Sequence, residues 1–333
     1  MLVPKNHWYP VLDSREIRGK PRGVERLGQR IVFWRDDHGE VHAHPDRCPH
    51  LGASLSSGRV SGSHLVCPFH GFEFDAEGQC RHIPANGKDG KIPKKMSLIP
   101  YTLREAHDMI WLWWGEARDE YPPLPYFSIL TDRWRHGTVR AEWPVHYSRA
   151  IENQLDVAHL PFVHRTTIGA GGRSRVEGPY VEASDEGIRV WVTNRRDGEQ
   201  QNRSQEELAM AAQTQDPSLS FLFPCCWLLN ISPKLKIFVA FVPIHEQRTR
   251  FYLRSYHKVF APGFSQLYGW LLGLSNRLVL RQDQRVVMTQ TPSNSLDGSE
   301  DCLIGADRAI TAFRRIQTRL LRHGGEAAVN TRR

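Results

Sequence analysis

Asp46-Arg47-Cys48-Pro49-His50-Leu51-Gly52 and Val66-Cys67-Pro68-Phe69-His70-Gly71-Phe72 are two short words built on one plan. Each gives one cysteine followed by proline, then one histidine, then glycine, with sixteen residues between His50 and Cys67. Proline stiffens such a loop, and glycine lets its backbone approach closely whatever the loop holds. Two similar loops, each contributing one thiol and one imidazole, must be brought together by the strands around them.

Those strands are legible. Arg30-Ile-Val-Phe-Trp-Arg35 has strand character, Asp36-Asp37-His38-Gly39 is a turn signal, and Glu40-Val-His-Ala-His44 resumes the strand pattern. Met109-Ile-Trp-Leu-Trp-Trp114 closes the region and Gly115 ends it. No helical period of useful length occurs, so residues 1–118 are expected to form a small all-β domain. Its Cys–His pairs suit zinc as a Cys₂His₂ site, or a [2Fe–2S] centre in which two thiolates hold one iron and two imidazoles the other. A zinc finger more often takes both cysteines from one knuckle and both histidines from another, so the mixed halves favour the cluster. His42 and His44 alternate along a strand, His7, His38, His64 and His82 lack ligand spacing, and all six are expected to be surface or hydrogen-bonded residues, with Cys80 packing.

Tyr121-Pro-Pro-Leu-Pro125 marks a domain boundary, and residues 119–325 are expected to form a second domain. Pro144 to Leu160 reads as a helix stopped by Pro161, with Asn153, Asp156 and His159 at successive steps of three on one face, and His164 just beyond. Two histidines and a carboxylate with open positions opposite make the facial triad of non-haem Fe(II) oxygenases. A distant carboxylate has four candidates: Asp283, Asp297, Asp301 and Asp307. Asp283 falls inside a long helix expected over Phe264–Gln290, where an acid beside an apolar stripe is costly unless paired or metal-bound. Ile188 to Phe260 reads as strands, and Ser299-Glu300-Asp301 as the start of a last helix that stops at Gly324-Gly325, leaving residues 326–333 as a disordered tail. Cys225-Cys226 is expected to pack.

The two Cys–His words resemble the Rieske motif of bacterial ring-hydroxylating and demethylating oxygenases. Asn153-Gln-Leu-Asp156-Val-Ala-His159-Leu-Pro-Phe-Val-His164 resembles the iron-binding segment of their catalytic domains. The resemblance runs from Trp8-Tyr9-Pro10 to the last helix. It implies an α+β fold, an N-terminal all-β [2Fe–2S] domain followed by a helix-grip, START-like catalytic domain with a curved antiparallel sheet and long C-terminal helices. It implies that Cys48, His50, Cys67 and His70 hold the cluster, and that His159 and His164 hold a mononuclear Fe(II). It points to Asp283, followed by an apolar pair and later by Gln290, as the third ligand, although Gln282 stands where the family usually has a second acid. Asp156 is implied to bridge a cluster histidine of one subunit and an iron-ligating histidine of the next, and Asn153 to lie near the iron. Asn230 and His257 are candidate substrate contacts, and Phe221, Phe223, Trp227 and Tyr256 candidate lining residues, most of them equally suited to the core.

The same resemblance implies a head-to-tail homotrimer that takes electrons from a separate NAD(P)H-dependent reductase, directly or through a ferredoxin. At 333 residues the chain resembles the shorter group of O-demethylases and monooxygenases, with cis-dihydroxylation as the alternative within the class. A non-catalytic electron carrier fused to a ligand-binding domain is the alternative outside it.

Composition agrees with an ordinary globular protein: 40% hydrophobic and 24% charged residues. The formal charge is +8, mostly from arginine, without a basic run interleaved with aromatics, so nucleic-acid binding is not expected. A solvated surface accounts for the excess by default, and a surface for an acidic donor protein or an anionic substrate accounts for it as well. Met1 to Pro10 has no apolar core of a signal peptide. Leu267 to Leu280, interrupted by Ser275, Asn276 and Arg277, is too short to span a bilayer. The expectation is a cytoplasmic protein with reduced thiols.

Overall fold

The structure, a computed structural model, describes residues 3–198, 202–259, 263–297 and 300–330, with side chains described up to Arg322. Its contacts divide the chain into two compact units that meet between Leu124 and Pro125, rather than after residue 118. The reason is local. Trp8 Nε1 donates to the Pro122 carbonyl at 2.9 Å, and Tyr121 packs against the rings of Trp8 and Trp113, so the proline-rich stretch belongs to the first unit.

That unit contains strands β1 (His7–Asp13), β2 (Arg22–Arg26), β3 (Gln29–Arg35), β4 (Val41–Pro45), β5 (Arg59–Ser61), β6 (His64–Val66), β7 (Glu73–Phe74), β8 (Cys80–His82), β9 (Leu103–Ala106) and β10 (Met109–Trp114). They form three small antiparallel sheets, β1-β10-β9, β2-β3-β4 and β5-β6-β7-β8. Trp8, Trp34 and Trp111 are fully buried. Val32, Trp34, Leu55, Leu65, Phe72 and Phe74 pack in one core together with Cys48, Cys67 and Cys80, so the thiols are part of the hydrophobic interior.

The second unit is one seven-stranded antiparallel sheet covered by helices. Its strands are β11 (Arg135–Trp143), β12 (Arg175–Ala183), β13 (Gly187–Arg195), β14 (Leu219–Leu222), β15 (Cys226–Ser232), β16 (Leu235–His245) and β17 (Arg248–His257), in the order β11-β17-β16-β15-β14-β13-β12. Helices α1 (Tyr147–Leu155) and α2 (Leu160–Val163) lie between the first two strands. They are followed by α3 (Gln205–Ala212), α4 (Phe264–Val287) and α5 (Arg308–Asn330).

Alternation along the strands fixes which side the long helix covers. Ser255 accepts from Asn276 Nδ2 at 2.5 Å, and His257 packs edge-on against Tyr268, so this face of β17 carries α4. Phe221 and Phe223 meet Phe313 of α5. Phe221 pairs with Trp227, which pairs with Val239, and Val239 with Leu253, so these residues share the helix-covered face.

Three expectations differ from the structure. The helix expected over Pro144–Leu160 ends at Leu155, because the Asp156 carboxylate accepts from the backbone N–H groups of Ala158 and His159 and turns the chain out of the helix. Pro161 then sits in the first turn of α2, where its missing N–H costs nothing. The run Ile188 to Phe260 contains α3, opened by a reciprocal Ser204–Glu207 capping box; Phe260 lies outside the described residues. The last helix begins at Arg308 and continues past Gly324-Gly325 through residues 326–330, with 331–333 outside the described residues. Asp301 instead joins ion pairs with Arg149 and Arg314, and Ser299 lies outside the described residues.

Candidate metal centres

In the first unit the two Cys–His loops fold alike. Cys48 N–H donates to the Ala53 carbonyl and Cys67 N–H to the Phe72 carbonyl, both at 2.8 Å. Gly52 N–H donates back to the Cys48 carbonyl at 3.0 Å, and Gly71 N–H to that of Cys67 at 3.1 Å. Each glycine has a left-handed φ, 78° and 69°, which is why glycine recurs four residues after each cysteine. The sulfurs are buried and in contact, whereas His50 and His70 are exposed with ring centroids 4.7 Å apart. Burial and the neighbouring Cys67 thiol push the Cys48 thiol up to about 11.

A thiol pair on the inside and an imidazole pair on the outside is the donor arrangement of a Rieske cluster. A single tetrahedral zinc needs its ligand atoms within roughly 4 Å of one another. Among the described residues no three of these four side chains bring their ligand atoms within even 4.8 Å of each other. The residues fit the two-iron group and not the single ion.

The trio that does meet that distance is His159, His164 and Asp283, in the second unit. His164 Nε2 lies 2.9 Å and His159 Nε2 3.6 Å from Asp283 Oδ1. That oxygen is buried, Asp283 is 1% exposed, and the groups facing it are these two imidazoles. A carboxylate in the interior is costly unless it is paired or metal-bound, and two imidazole nitrogens facing one of its oxygens complete a set of donors for a divalent cation. Asn153 Nδ2 is buried without a hydrogen-bond partner among the described residues. Gln154 Nε2 reaches Asp283 Oδ2 at 3.5 Å.

Gln282, the residue before Asp283, supports the arrangement. His164 Nδ1 donates to Gln282 Oε1 at 2.8 Å, and Thr167 Oγ1 donates to the same oxygen at 3.0 Å. An acceptor at Nδ1 keeps that nitrogen protonated, so a metal would take the place of the proton at Nε2, the atom that faces Asp283. Burial acts to lower the basicity of His164, but its bonds to Asp283 and Gln282 outweigh that and raise it. In the sequence Gln282 stands out only as a missing acid, because its partner lies 118 residues away and leaves no local pattern.

Asp156 ends α1 with its carboxylate 3.5 Å from His159 Nδ1 and partly exposed. Burial pushes its carboxyl up, while the His159 ring and the Ala158 and His159 N–H groups hold it below the usual carboxylate range. Helix α1 is anchored by a buried network: Glu152 accepts from Arg149, Ser295 and Arg314, and both arginines reach Asp301. This accounts for Asp301 without a metal, and Asp307 accepts from the Ile304 N–H at the start of the last helix.

The two substrate candidates are not brought together. His257 pairs with Leu235, and Asn230 with the next residue, Lys236, so the two side chains leave opposite faces of the sheet. His257 is buried, accepts the Val259 N–H on Nδ1, and packs on Tyr268, about 22 Å along α4 from Asp283. Asn230 accepts from Lys236 Nζ at 2.6 Å on the face away from α4. Tyr256, on that same face, bonds Tyr126. Trp227 is on the helix-covered face, buried, with its indole N–H unpaired.

A cluster-type Cys–His pair of loops in one unit and a two-histidine, one-carboxylate centre in the other define a two-centre iron protein of the Rieske oxygenase class. Residues 7–101 match the Rieske [2Fe-2S] domain, and residues 143–323 match the vanillate O-demethylase oxygenase C-terminal domain. The chain belongs to this family. It is 34% identical over 191 residues to the vanillate O-demethylase oxygenase subunit of Pseudomonas sp. (strain HR199 / DSM 7063), covering 55% of this chain and 53% of that one. It is 29% identical over 204 residues to protein TIC 55, chloroplastic, of Pisum sativum, covering 59% and 36%. The matched parts thus span about a third to a half of these relatives. The fold is shared end to end with dicamba monooxygenase bound to dicamba, at TM-score 0.79 and 22% identity over 98% of this chain and 100% of that one. Among the described residues no helix is long and apolar enough to cross a membrane.

Proposed function

We propose that this protein is the terminal oxygenase component of a multi-component system that hydroxylates or oxidatively demethylates a small organic substrate, aromatic or heterocyclic, with electrons from a separate NAD(P)H-dependent reductase or ferredoxin. The observation that carries the reading is the convergence of His159, His164 and the buried Asp283 carboxylate in the same chain as the Cys–His loops. An electron carrier has no use for that second donor set. The relatives named as O-demethylase and monooxygenase components support the same reading.

Cys48, His50, Cys67 and His70 would hold the cluster, and His159, His164 and Asp283 the mononuclear Fe(II). When bound, the two groups supply electron transfer and activation of O₂. The chain's own residues do the rest. Gln282 holds the His164 ring in the orientation and tautomer that a ligand needs. Asp156, partly exposed beside His159, would accept a proton-bearing imidazole from a neighbouring subunit's cluster face and so join the two centres across a homotrimer. Leu51 and Phe69, both exposed beside the imidazoles, give that face an apolar rim suited to docking. Asn153 would donate its unpaired N–H toward the iron side of α1, and Trp227 its indole N–H to a substrate held between sheet and α4.

For a methyl aryl ether the balance is one ether, one O₂, two electrons and two protons giving phenol, formaldehyde and water. The test is turnover of a methyl aryl ether panel with a surrogate reductase in labelled oxygen. Formaldehyde matched to phenol, or a hydroxylated product carrying one labelled atom, supports the reading. Two labelled atoms in one product would make it a dihydroxylating enzyme, and NAD(P)H oxidation without any oxygenated product would make it a carrier.

A further inference from the structure

Lys236 and Lys258 stand on the sheet face away from α4 and line a cavity of about 940 Å³. The cavity is walled by Trp134, Arg133, Asn230, Ser218 and Ser232, with Asp132 and Asp216 also on its lining. Lys236 is 3% exposed, a burial that lysine tolerates only when its ammonium is compensated. Among the described residues its ammonium makes one hydrogen bond, to Asn230 Oδ1 at 2.6 Å, a neutral acceptor. Among the described residues neither lysine forms an ion pair, and both ammonium groups lie over the Trp134 ring, at 5.7 Å for Lys236 and 4.5 Å for Lys258. Asn230 is held in turn, its Nδ2 donating to the Pro217 carbonyl, so the acceptor that orients Lys236 is itself fixed.

Two like charges facing one cavity, one of them buried, repel each other, and an anion taken up between them would relieve that repulsion. Asp216 raises the basicity of Lys236, while burial and Lys258 lower it more. Neither wall aspartate makes an ion pair with these amines.

We propose that this cavity is a binding site for a small oxyanion, a carboxylate or phosphate group, bound by Lys236 and Lys258 with Trp134 packing on the ligand's body or flank, and separate from the His159–His164–Asp283 centre. Asp283 projects from α4, which covers the opposite face of the sheet, so the occupant is not the molecule being oxidised at that centre. This site stands independently of the oxygenase reading.

Isothermal titration of the intact holoprotein with benzoate and, separately, inorganic phosphate tests it. Saturable binding of one equivalent is expected, weakened at least tenfold in both Lys236→Met and Lys258→Met and retained in Lys258→Arg. Because Lys258 is exposed, its variants report even if Lys236→Met fails to fold. Saturation by benzoate alone identifies an organic carboxylate, and by phosphate alone a phosphate ligand. Binding indifferent to Lys258→Met, or absent for both anions into the millimolar range, overturns the proposal.

Discussion

Gln282→Leu removes the acceptor shared by His164 Nδ1 and Thr167 Oγ1 while keeping a side chain of similar length. Thr167 has a second acceptor, the His164 carbonyl at 3.3 Å, so the loss falls on the imidazole. His164 is 1% exposed, and its Nδ1–H would be left dry and unpaired, at about 1–3 kcal/mol. The ring can escape that cost by shifting its proton to Nε2, which blocks the atom facing Asp283. Residues that orient a metal-bound histidine are worth about 10–100-fold in metal affinity, or about 1.4–2.8 kcal/mol, in agreement with the hydrogen-bond figure. The assay is chelator competition for ferrous iron on protein whose mononuclear iron has been stripped. Visible absorption of the cluster serves as a control that the other unit is intact. Gln282→Glu, which keeps an acceptor, should regain most of the affinity. A Gln282→Leu protein that binds ferrous iron as tightly as the parent would refute the reasoning.

Asp156→Asn should leave reduction of the cluster unaltered and lower product formation by at least about tenfold, as expected for a residue that couples centres without holding either; unchanged product formation would end the bridging assignment. Trp227→Phe removes only the indole N–H donor and is expected to raise KM by about tenfold with kcat kept for a substrate carrying an acceptor. Equal KM values would place Trp227 in the core alone. Glu177 is buried, and although burial raises its carboxyl, hydrogen bonds from Arg203 and Arg195 hold it at about 2 against an ordinary 4.5. A lowered folded-state pKa gives stability that is complete above the ordinary value and lost as pH falls toward the folded one. Melting temperature should therefore drop less steeply between pH 4.5 and about 2 in Glu177→Gln than in the parent, read by calorimetry.

The cluster loops were legible because their chemistry is local. Cysteine, proline, histidine and a left-handed glycine sit within one turn, and the alternating strands that flank them are short-range signals. Asp283 was legible as a charge in an apolar helix. The break at Asp156 was not, since steps of three satisfy a helix equally well. The signal lay in an aspartate able to accept from Ala158 and His159 five residues before a proline that suits a first turn. The Ser204-x-x-Glu207 box announced α3 and was absorbed into a run of strands. Pairing Asn230 with His257 failed for a different reason. Which face a residue takes depends on register across β15, β16 and β17, and a bulge after Asn230 resets it. Gln282 owes its place to a partner brought in by tertiary packing, which no window of sequence contains.

The central claim is that one chain holds two different iron centres. Anaerobic purification followed by iron and acid-labile sulfide analysis, on the parent and on Asp283→Ala, tests it most directly. The account predicts about three irons and two sulfides per chain in the parent, and in Asp283→Ala the loss of one iron with sulfide and cluster absorption unchanged. Two irons in both proteins, unaltered when ferrous iron is supplied, would contradict it.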